Sequence, residues 1–351
     1  IESPTFRPDI IGEADIVEEI LRIYGFDKIP LKKINNYEDK KEILNSSIKT
    51  FHKSKRVIAS KGYSEVVTWS FMDGDKAKII SNDLIYLKNP ISSDLNVMRP
   101  SAFPNLLDAI NQNKARMYLS AKIFEIGPNF SNSISDQQEN VATAITYGSI
   151  DEQNWLSNKK DSDVYSIKSD LFFILRDLNV PTDNLLYNKI EGQIYHPGKS
   201  SSLSLGKSMV AKFGEIHPIL LKKMDVNLKV FGFEIFLDNI SQFQENRSNS
   251  RSGFVNNQFQ MVERDFAFLF PKETQANEII KKVKKIDKNL IQKVTIFDVY
   301  EGDKLPDNKK SIAFRILLQP QDKTFNDQEI ENLSKQIIEL ISKTFDASIR
   351  K

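Results

Sequence analysis

Residues 262–270 read VERDFAFLF, and Phe266, Phe268 and Phe270 at every second position decide how the carboxy-terminal part folds. Alternation of period two predicts a half-buried strand over Arg264 to Phe270 with the three rings on one face. The period then changes. Over Ala276 to Ile286, Ile279, Val283 and Ile286 recur at helical spacing, while Lys281, Lys282, Lys284 and Lys285 fall largely on the other side. Lys293 to Tyr300 and Ser311 to Leu318 read as two strands joined by the turn-rich GDKLPDNKK. Asp327 opens a helix whose stripe is Ile330, Leu333, Ile337, Leu340 and Ile341, and Ala347 to Arg350 reads as a last strand. The order β-α-β-β-α-β is a split βαβ, ferredoxin-like unit, assigned to residues 259–351.

Immediately before this unit, residues 244–258 contain ENRSNSRSGFVNNQ, rich in Asn, Ser and Arg with few core candidates, and read as a linker. Before it lies a mixed region. Glu65 to Phe71, Leu84 to Leu87, Lys122 to Ile126, Val141 to Tyr147, Ser202 to Leu205, Met209 to Gly214 and Val230 to Phe236 read as strands. Ile43 to Lys61, Leu106 to Met117 and Ile167 to Leu178 read as helices. Hairpin-like connections, with no regular βαβ alternation, predict a largely antiparallel sheet with helices against it over residues 43–243, hence an α+β class. At the amino terminus, Ile16, Val17, Ile20, Leu21 and Tyr24 recur at helical spacing up to Gly25, and Lys32 to Glu42 forms a charged connector.

Length and composition bound the function. At ~150 residues per domain, 351 residues predict two to three domains. No run approaches the ~18 apolar residues that cross a bilayer, and no secretion signal opens the chain. The absence of Cys excludes disulfides, zinc ribbons, iron–sulfur clusters and thiol catalysis, and fits a reducing cytosol. The net charge of +2 is too small to announce a nucleic-acid protein. The chain begins at Ile1 without a Met and reads as a fragment.

Two clusters invite chemistry. Asp9 precedes the first helix, and Asp15, Glu18 and Glu19 follow at spacings that share one side of it, an oxygen-only set that suits a hard cation such as magnesium. The same carboxylates in a first turn also oppose the helix macrodipole, which needs no metal. The lysines from Lys281 to Lys285 could meet phosphate, or form a solvated helix face. The aromatic strand signature of the common RNA-recognition motif is absent. His52, His196 and His217 lack metal spacing, and the HPG at His196 and HP at His217 read as isolated turn punctuation with ordinary structural roles. GxxxxGK[ST], GxGxxG and GxSxG are all missing.

Several blocks, in order and across nearly the whole chain, resemble the bacterial phenylalanyl-tRNA synthetase beta-subunit family. They are SPTFRPDIIGEADIVEEILRIYGFDKIP, GYSEVVTWSF, NPISSDLNVMRPSAFPNLLDAINQNKAR, KIFEIGPNF, HPGKSS, FGEIHP, VERDFAFLF and IFDVYEGDKLPDNKKSIAFRILLQPQDKTFNDQEI, closing with ASIR. The resemblance implies that residues 1–42 end a winged-helix-like domain and that Asp9, Asp15, Glu18 and Glu19 bind magnesium near the alpha subunit. It implies a class II synthetase-like, non-catalytic domain at 43–243 and a ferredoxin-fold anticodon-binding domain at 259–351. Consistent with that, no Gly-rich strand ending in Arg, the ATP-holding device of class II enzymes, is found in the sequence.

Lys281, Lys282, Lys284, Lys285 and Arg315 become candidates for tRNA phosphate. The implied function is support of the alpha subunit and positioning of phenylalanine tRNA for ATP-dependent ligation, in a cytoplasmic heterotetramer of two alpha and two beta chains, the isolated chain being inactive. Two other classes stay open: an independently active ligase, and an RNA-binding or structural module acting outside the ligase complex. The family usually opens its last domain with Phe-Pro, whereas this chain has Phe259-Gln260. The family's upstream oligonucleotide-binding-fold and editing domains have no counterpart in these residues, so proofreading is not expected of the chain.

Overall fold

The structure is a computed structural model that describes residues 1–32, 44–133, 136, 138–151, 154–156, 158–190, 192–245, 257–302, 305–321 and 323–350. The connector expected up to Glu42 lies mostly outside the described residues, as does the expected linker between residues 246 and 256.

The amino-terminal helix α1 (Glu13–Tyr24) stops at Gly25, whose φ of 103° suits glycine and ends the helical path. The expected stripe is present, yet none of it is buried among the described residues: Val17, Ile20 and Tyr24 stay exposed.

The second unit opens with α2 (Ser46–Ser60), capped by Asn45, whose side chain accepts from Ile48 N at 2.8 Å. There follow β1 (Ser64–Glu65), β2 (Phe71–Met72), α3 (Gly74–Lys78), β3 (Val97–Met98), α4 (Phe103–Ala115), β4 (Ala121–Phe130), β5 (Gln138–Tyr147), β6 (Ser149–Asp151) and β7 (Lys160–Asp161). Next come α5 (Val164–Asp177), β8 (Leu186–Asn188), β9 (Tyr195–Leu205), β10 (Ser208–Ile216), α6 (Pro218–Lys223), β11 (Val230–Phe236) and α7 (Leu237–Glu245). Seven strands form one sheet in the order β1-β4-β5-β11-β10-β9-β8, antiparallel except for the β1–β4 pair. The expected antiparallel sheet is therefore present with one parallel edge.

Both faces of the sheet are covered, which is why β11 is buried along its whole length. On one side Phe124, Phe213, Phe231 and Phe233 pack with Ile167, Leu171 and Ile174 of α5. On the other, Ile123, Ile145 and Val230 pack under Phe103, Leu106 and Ile110 of α4. Gly232 admits the Phe103 ring: a Cβ there would stand 2.7 Å from its Cε1. That second face also carries a polar row, in register from Glu125 through Thr143 and Glu234 to Lys212 and Ser202. Burial pushes the Glu234 carboxyl up, and it accepts from Ser101 Oγ at 2.9 Å and Tyr195 OH at 3.3 Å.

Two expected strands are corrected. Glu65 to Phe71 is not continuous, because the Thr68 amide and hydroxyl bind the Glu125 carboxylate at 3.3 and 2.7 Å where a ladder would need the backbone free. Leu84 to Leu87 makes only an isolated bridge between Tyr86 and Val97. The Glu125 carboxylate meets Arg99 Nη1 at 2.6 Å, with the two side chains 6% and 1% exposed.

The carboxy-terminal unit follows its expected order: β12 (Val262–Pro271), α8 (Ala276–Lys284), β13 (Ile291–Tyr300), β14 (Lys309–Leu318), α9 (Asp327–Phe345) and β15 (Ser348–Ile349). The sheet order β13-β14-β12-β15 is that of a split βαβ unit. Phe268, Phe270 and Phe314 fill its core against Ile279, Val283, Ile337 and Ile341. The helices cover that face and leave the other open.

Candidate nucleic-acid interface and acidic cluster

On the open face, alternation along β14 aligns Ala313, Arg315 and Leu317 away from the helices. Register places Arg315 beside Asp265 on one side and Thr295 on the other. Arg315 makes a bidentate pair with Asp265, Nε to Oδ1 and Nη2 to Oδ2 both at 2.8 Å, and its Nη1 meets Glu263 Oε2 at 3.0 Å. The guanidinium holds the Asp265 carboxyl below its usual range.

A bulge between Ile296 and Asp298 makes Phe297 an extra residue on β13. Its ring, 55% exposed, lies 5.7 Å from the Arg315 guanidinium. Glu263, Lys293, Thr295, Phe297, Arg315 and Leu317 line a shallow cleft of about 350 Å³. At the far end Arg350 stacks over Tyr300 at 5.6 Å and donates from Nη1 to Ser311 Oγ at 3.1 Å. Aromatic faces with adjacent guanidinium groups are what stacks unpaired bases and approaches their phosphates.

The lysines lie elsewhere. Helix α8 packs on the covered face of the sheet, so Lys281 to Lys285 and Arg315 are on opposite sides and do not form one patch. Lys281 Nζ donates to Leu185 O at 3.0 Å, tying α8 to the seven-stranded unit. Lys282 and Lys285 are exposed, and Lys284 is half-buried. Phe297, Tyr300 and Arg350 were not expected as site residues. The available signal was IFDVY at residues 296–300, where ring-bearing residues sit at an edge strand out of step with the core alternation.

At the amino terminus, Arg7 enters the acidic set. Its Nη2 meets Asp9 Oδ2 at 2.7 Å and Glu19 Oε1 at 2.5 Å, and Arg22 closes on the other oxygen of Glu19. These hydrogen bonds lower the Asp9 and Glu19 carboxyls to about 2. Asp15 Oδ2 accepts from Gly12 N at 2.8 Å and Ile11 N at 2.9 Å, which lowers its carboxyl as well. Glu18 is exposed. Among the described residues no group of three or more His, Cys, Asp or Glu converges as a cation site. As paired here, Asp9 and Glu19 face arginines and Asp15 faces two backbone amides.

A second cleft, of about 470 Å³, lies between the Val67–Phe71 segment, α3 and α4. Trp69 on its wall is 63% exposed. Asp73 and Asp108 also line it, Asp108 meeting Lys76 Nζ at 2.9 Å.

Three family models match consecutive parts of the chain: the tRNA synthetase B5 domain at residues 1–26, the phenylalanyl tRNA synthetase beta chain CLM domain at 33–237, and the ferredoxin-fold anticodon binding domain at 257–350. The chain is 38% identical to the phenylalanine–tRNA ligase beta subunit of Rhodospirillum rubrum over 352 aligned residues, covering all of this chain and 44% of that protein. It is 38% identical to the Rickettsia bellii beta subunit, covering all of this chain and 40% of that one, and 36% identical to that of Bartonella henselae, at 100% and 44%. The chain thus spans less than half the length of these curated relatives. Among solved structures, the pyrrolysyl tRNA synthetase of Desulfitobacterium hafniense aligns with a TM-score of 0.47 at 12% identity, over 66% of this chain and 75% of that one.

Proposed function

The chain belongs to the phenylalanyl-tRNA synthetase beta-chain family, and from that premise we propose that it supports a catalytic alpha subunit and positions tRNA for ATP-dependent attachment of phenylalanine. The observation that carries the tRNA part is the open sheet face of the ferredoxin-fold unit, where Phe297 and Tyr300 each lie against an arginine. An edge strand that bulges there gives bases a stacking surface, and Arg315 can exchange its carboxylate partners for phosphate. Lys282 and Lys285, on the covered side, add to the long-range field rather than to this contact. The exposed Val67 and Trp69 beside the acid-lined cleft are the surface we assign to the alpha subunit.

The chain's own part in the ligation is binding and orientation. Chemistry on phenylalanine and ATP resides in the alpha subunit, within a cytoplasmic heterotetramer of two alpha and two beta chains. Magnesium at Asp9, Asp15, Glu18 and Glu19 belongs to the same reading and requires Arg7 and Arg22 to release Asp9 and Glu19 on assembly. If Asp15→Asn with Glu18→Gln leaves magnesium binding by the complex unchanged, that assignment fails.

The test of the whole is phenylalanine-dependent ATP–pyrophosphate exchange by the chain, by the cognate alpha subunit and by their mixture, with size exclusion of each. Exchange confined to the mixture, together with co-elution, is the expected result. Exchange by the chain alone would make it an independent ligase; failure to co-elute that a full-length beta chain shares would limit the reading to an RNA-binding module, whereas association of the full-length chain would trace the failure to parts outside these residues.

A further inference from the structure

Two His-Pro turns, far apart in sequence, meet in the fold. Strands β9 and β10 pair regularly up to Gly214↔Ser200, but the next pair is Ile216↔Tyr195, so His196 to Lys199 stand against Glu215 alone. The bulge is closed by Ser200 Oγ donating to His196 O at 2.7 Å and by His217 N donating to Ile194 O at 2.8 Å. Its tightness requires Gly214, where a Cβ would lie 2.4 Å from Ser200 Cβ. In consequence the rings of His196 and His217 stack, with centroids 6.2 Å apart and planes 26° from parallel.

Both rings are held in the same way. Gly198 N donates to His196 Nδ1 at 3.0 Å, and Ile219 N donates to His217 Nδ1 at 3.1 Å. In each case the intervening proline has no N–H, and the amide two residues on reaches the ring. A ring nitrogen that accepts an N–H carries no proton, so in the neutral imidazole the proton is on Nε2. Neither Nε2 has a hydrogen-bond partner among the described residues. Metal ligation through Nε2 would move each proton to Nδ1, against the amide that donates there. The arrangement therefore disfavours a cation and presents two adjacent N–H donors to an acceptor. A ring separation of 6.2 Å accommodates two contacts of ~2.9 Å to different oxygens of one tetrahedral anion. Lys199, in the same bulge, supplies a cation that is half exposed and currently meets Glu215 Oε2 at 2.8 Å. The amides of α6 are not needed, that of Ile219 being already engaged.

We propose that the Nε2–H groups of His196 and His217 form a twin-donor site for a phosphoryl oxyanion, either a free phosphate or a phosphodiester of RNA.

The chain holds three histidines, so long-range ¹H–¹⁵N correlation of the full chain labelled at histidine resolves each ring. His196 and His217 should both show the Nε2–H tautomer and should shift together on titration with inorganic phosphate, while His52 stays fixed. His196→Asn and His217→Asn keep a side-chain oxygen for the same amide but remove the Nε2 donor. Each should weaken phosphate binding about fivefold, the scale of one hydrogen bond. Deacylated tRNA, added separately, identifies the source: joint shifts that the Asn variants diminish mean an RNA phosphodiester, and shifts with inorganic phosphate alone mean a free anion. The proposal is overturned by an Nδ1–H tautomer at either ring, by phosphate-induced shifts undiminished in the double variant, or by zinc binding to the pair where phosphate does not.

Discussion

Arg99→Met should unfold the seven-stranded unit far more readily than its single lost side chain suggests. The guanidinium donates to Glu125 Oε1 at 2.6 Å, to Pro128 O at 3.0 Å and to Thr68 Oγ1 at 3.1 Å. Methionine fills comparable volume but leaves the Glu125 carboxylate buried, with only Thr68 to meet it. Stranding one member of a buried pair costs about 3–5 kcal/mol. At a urea dependence of ~2–3 kcal/mol per M, that lowers the unfolding midpoint by about 1–2.5 M. Replacing both partners, as Arg99→Met with Glu125→Leu, removes the uncompensated charge and should cost less than either single change. Urea titrations followed by the fluorescence of Trp69, next to Thr68, give the double-mutant cycle directly. A loss below about 1 kcal/mol for Arg99→Met, or a double variant costing the sum of the two singles, would refute the reasoning.

Further outcomes can be checked independently. Phe297→Ala and Tyr300→Ala should each weaken binding of phenylalanine tRNA about tenfold, within the range of one base–aromatic stack, while the melting temperature of the ferredoxin-fold unit barely moves; filter binding and calorimetry separate the two. Because Arg7 depresses the Asp9 and Glu19 carboxyls to about 2, the stabilisation they give is fully present above the ordinary carboxylate range. It is lost as pH falls from about 4 towards 2; in Arg7→Met the loss should be smaller and complete at higher pH, read by amide exchange in α1. Gly232→Ala places a Cβ 2.7 Å from the Phe103 ring and 2.8 Å from Ala144 O. It should destabilise by about 1–3 kcal/mol, and Phe103→Leu should relieve part of it, as thermal melts would show.

Much of the fold was legible because its signals are local. Val230 to Phe236 is an apolar run bounded by turns, and the structure gives the same residues as β11; the switch of period after Phe270 gave the order of the ferredoxin-fold unit. What was not legible depends on partners distant in sequence. The Thr68 backbone leaves the strand pattern for a carboxylate at residue 125. Arg7 reaches Glu19 across a turn, converting a set of acids that suggested a cation into arginine-paired groups. Lys281 belonged to a basic stripe by spacing but donates to a carbonyl of the other unit. Phe297 is presented by a bulge, and a bulge has no periodicity from which to read it.

The polar row of Glu125, Thr143, Glu234 and Lys212 has a consequence for how the sheet is assembled. Strands β5 and β11 are neighbours although α5, α6 and five other strands of the chain come between them, so their pairing must be found late and over a long loop. Slippage by one residue would invert β11 and thrust the Glu234 carboxylate into the layer of Phe213, Phe231 and Ile167. Hydrophobicity alone discriminates poorly between registers in a strand buried on both sides, since either face of β11 is apolar. The ionisable residue at its centre makes the two faces unequal, and a misaligned chain is penalised before the helices close over the sheet.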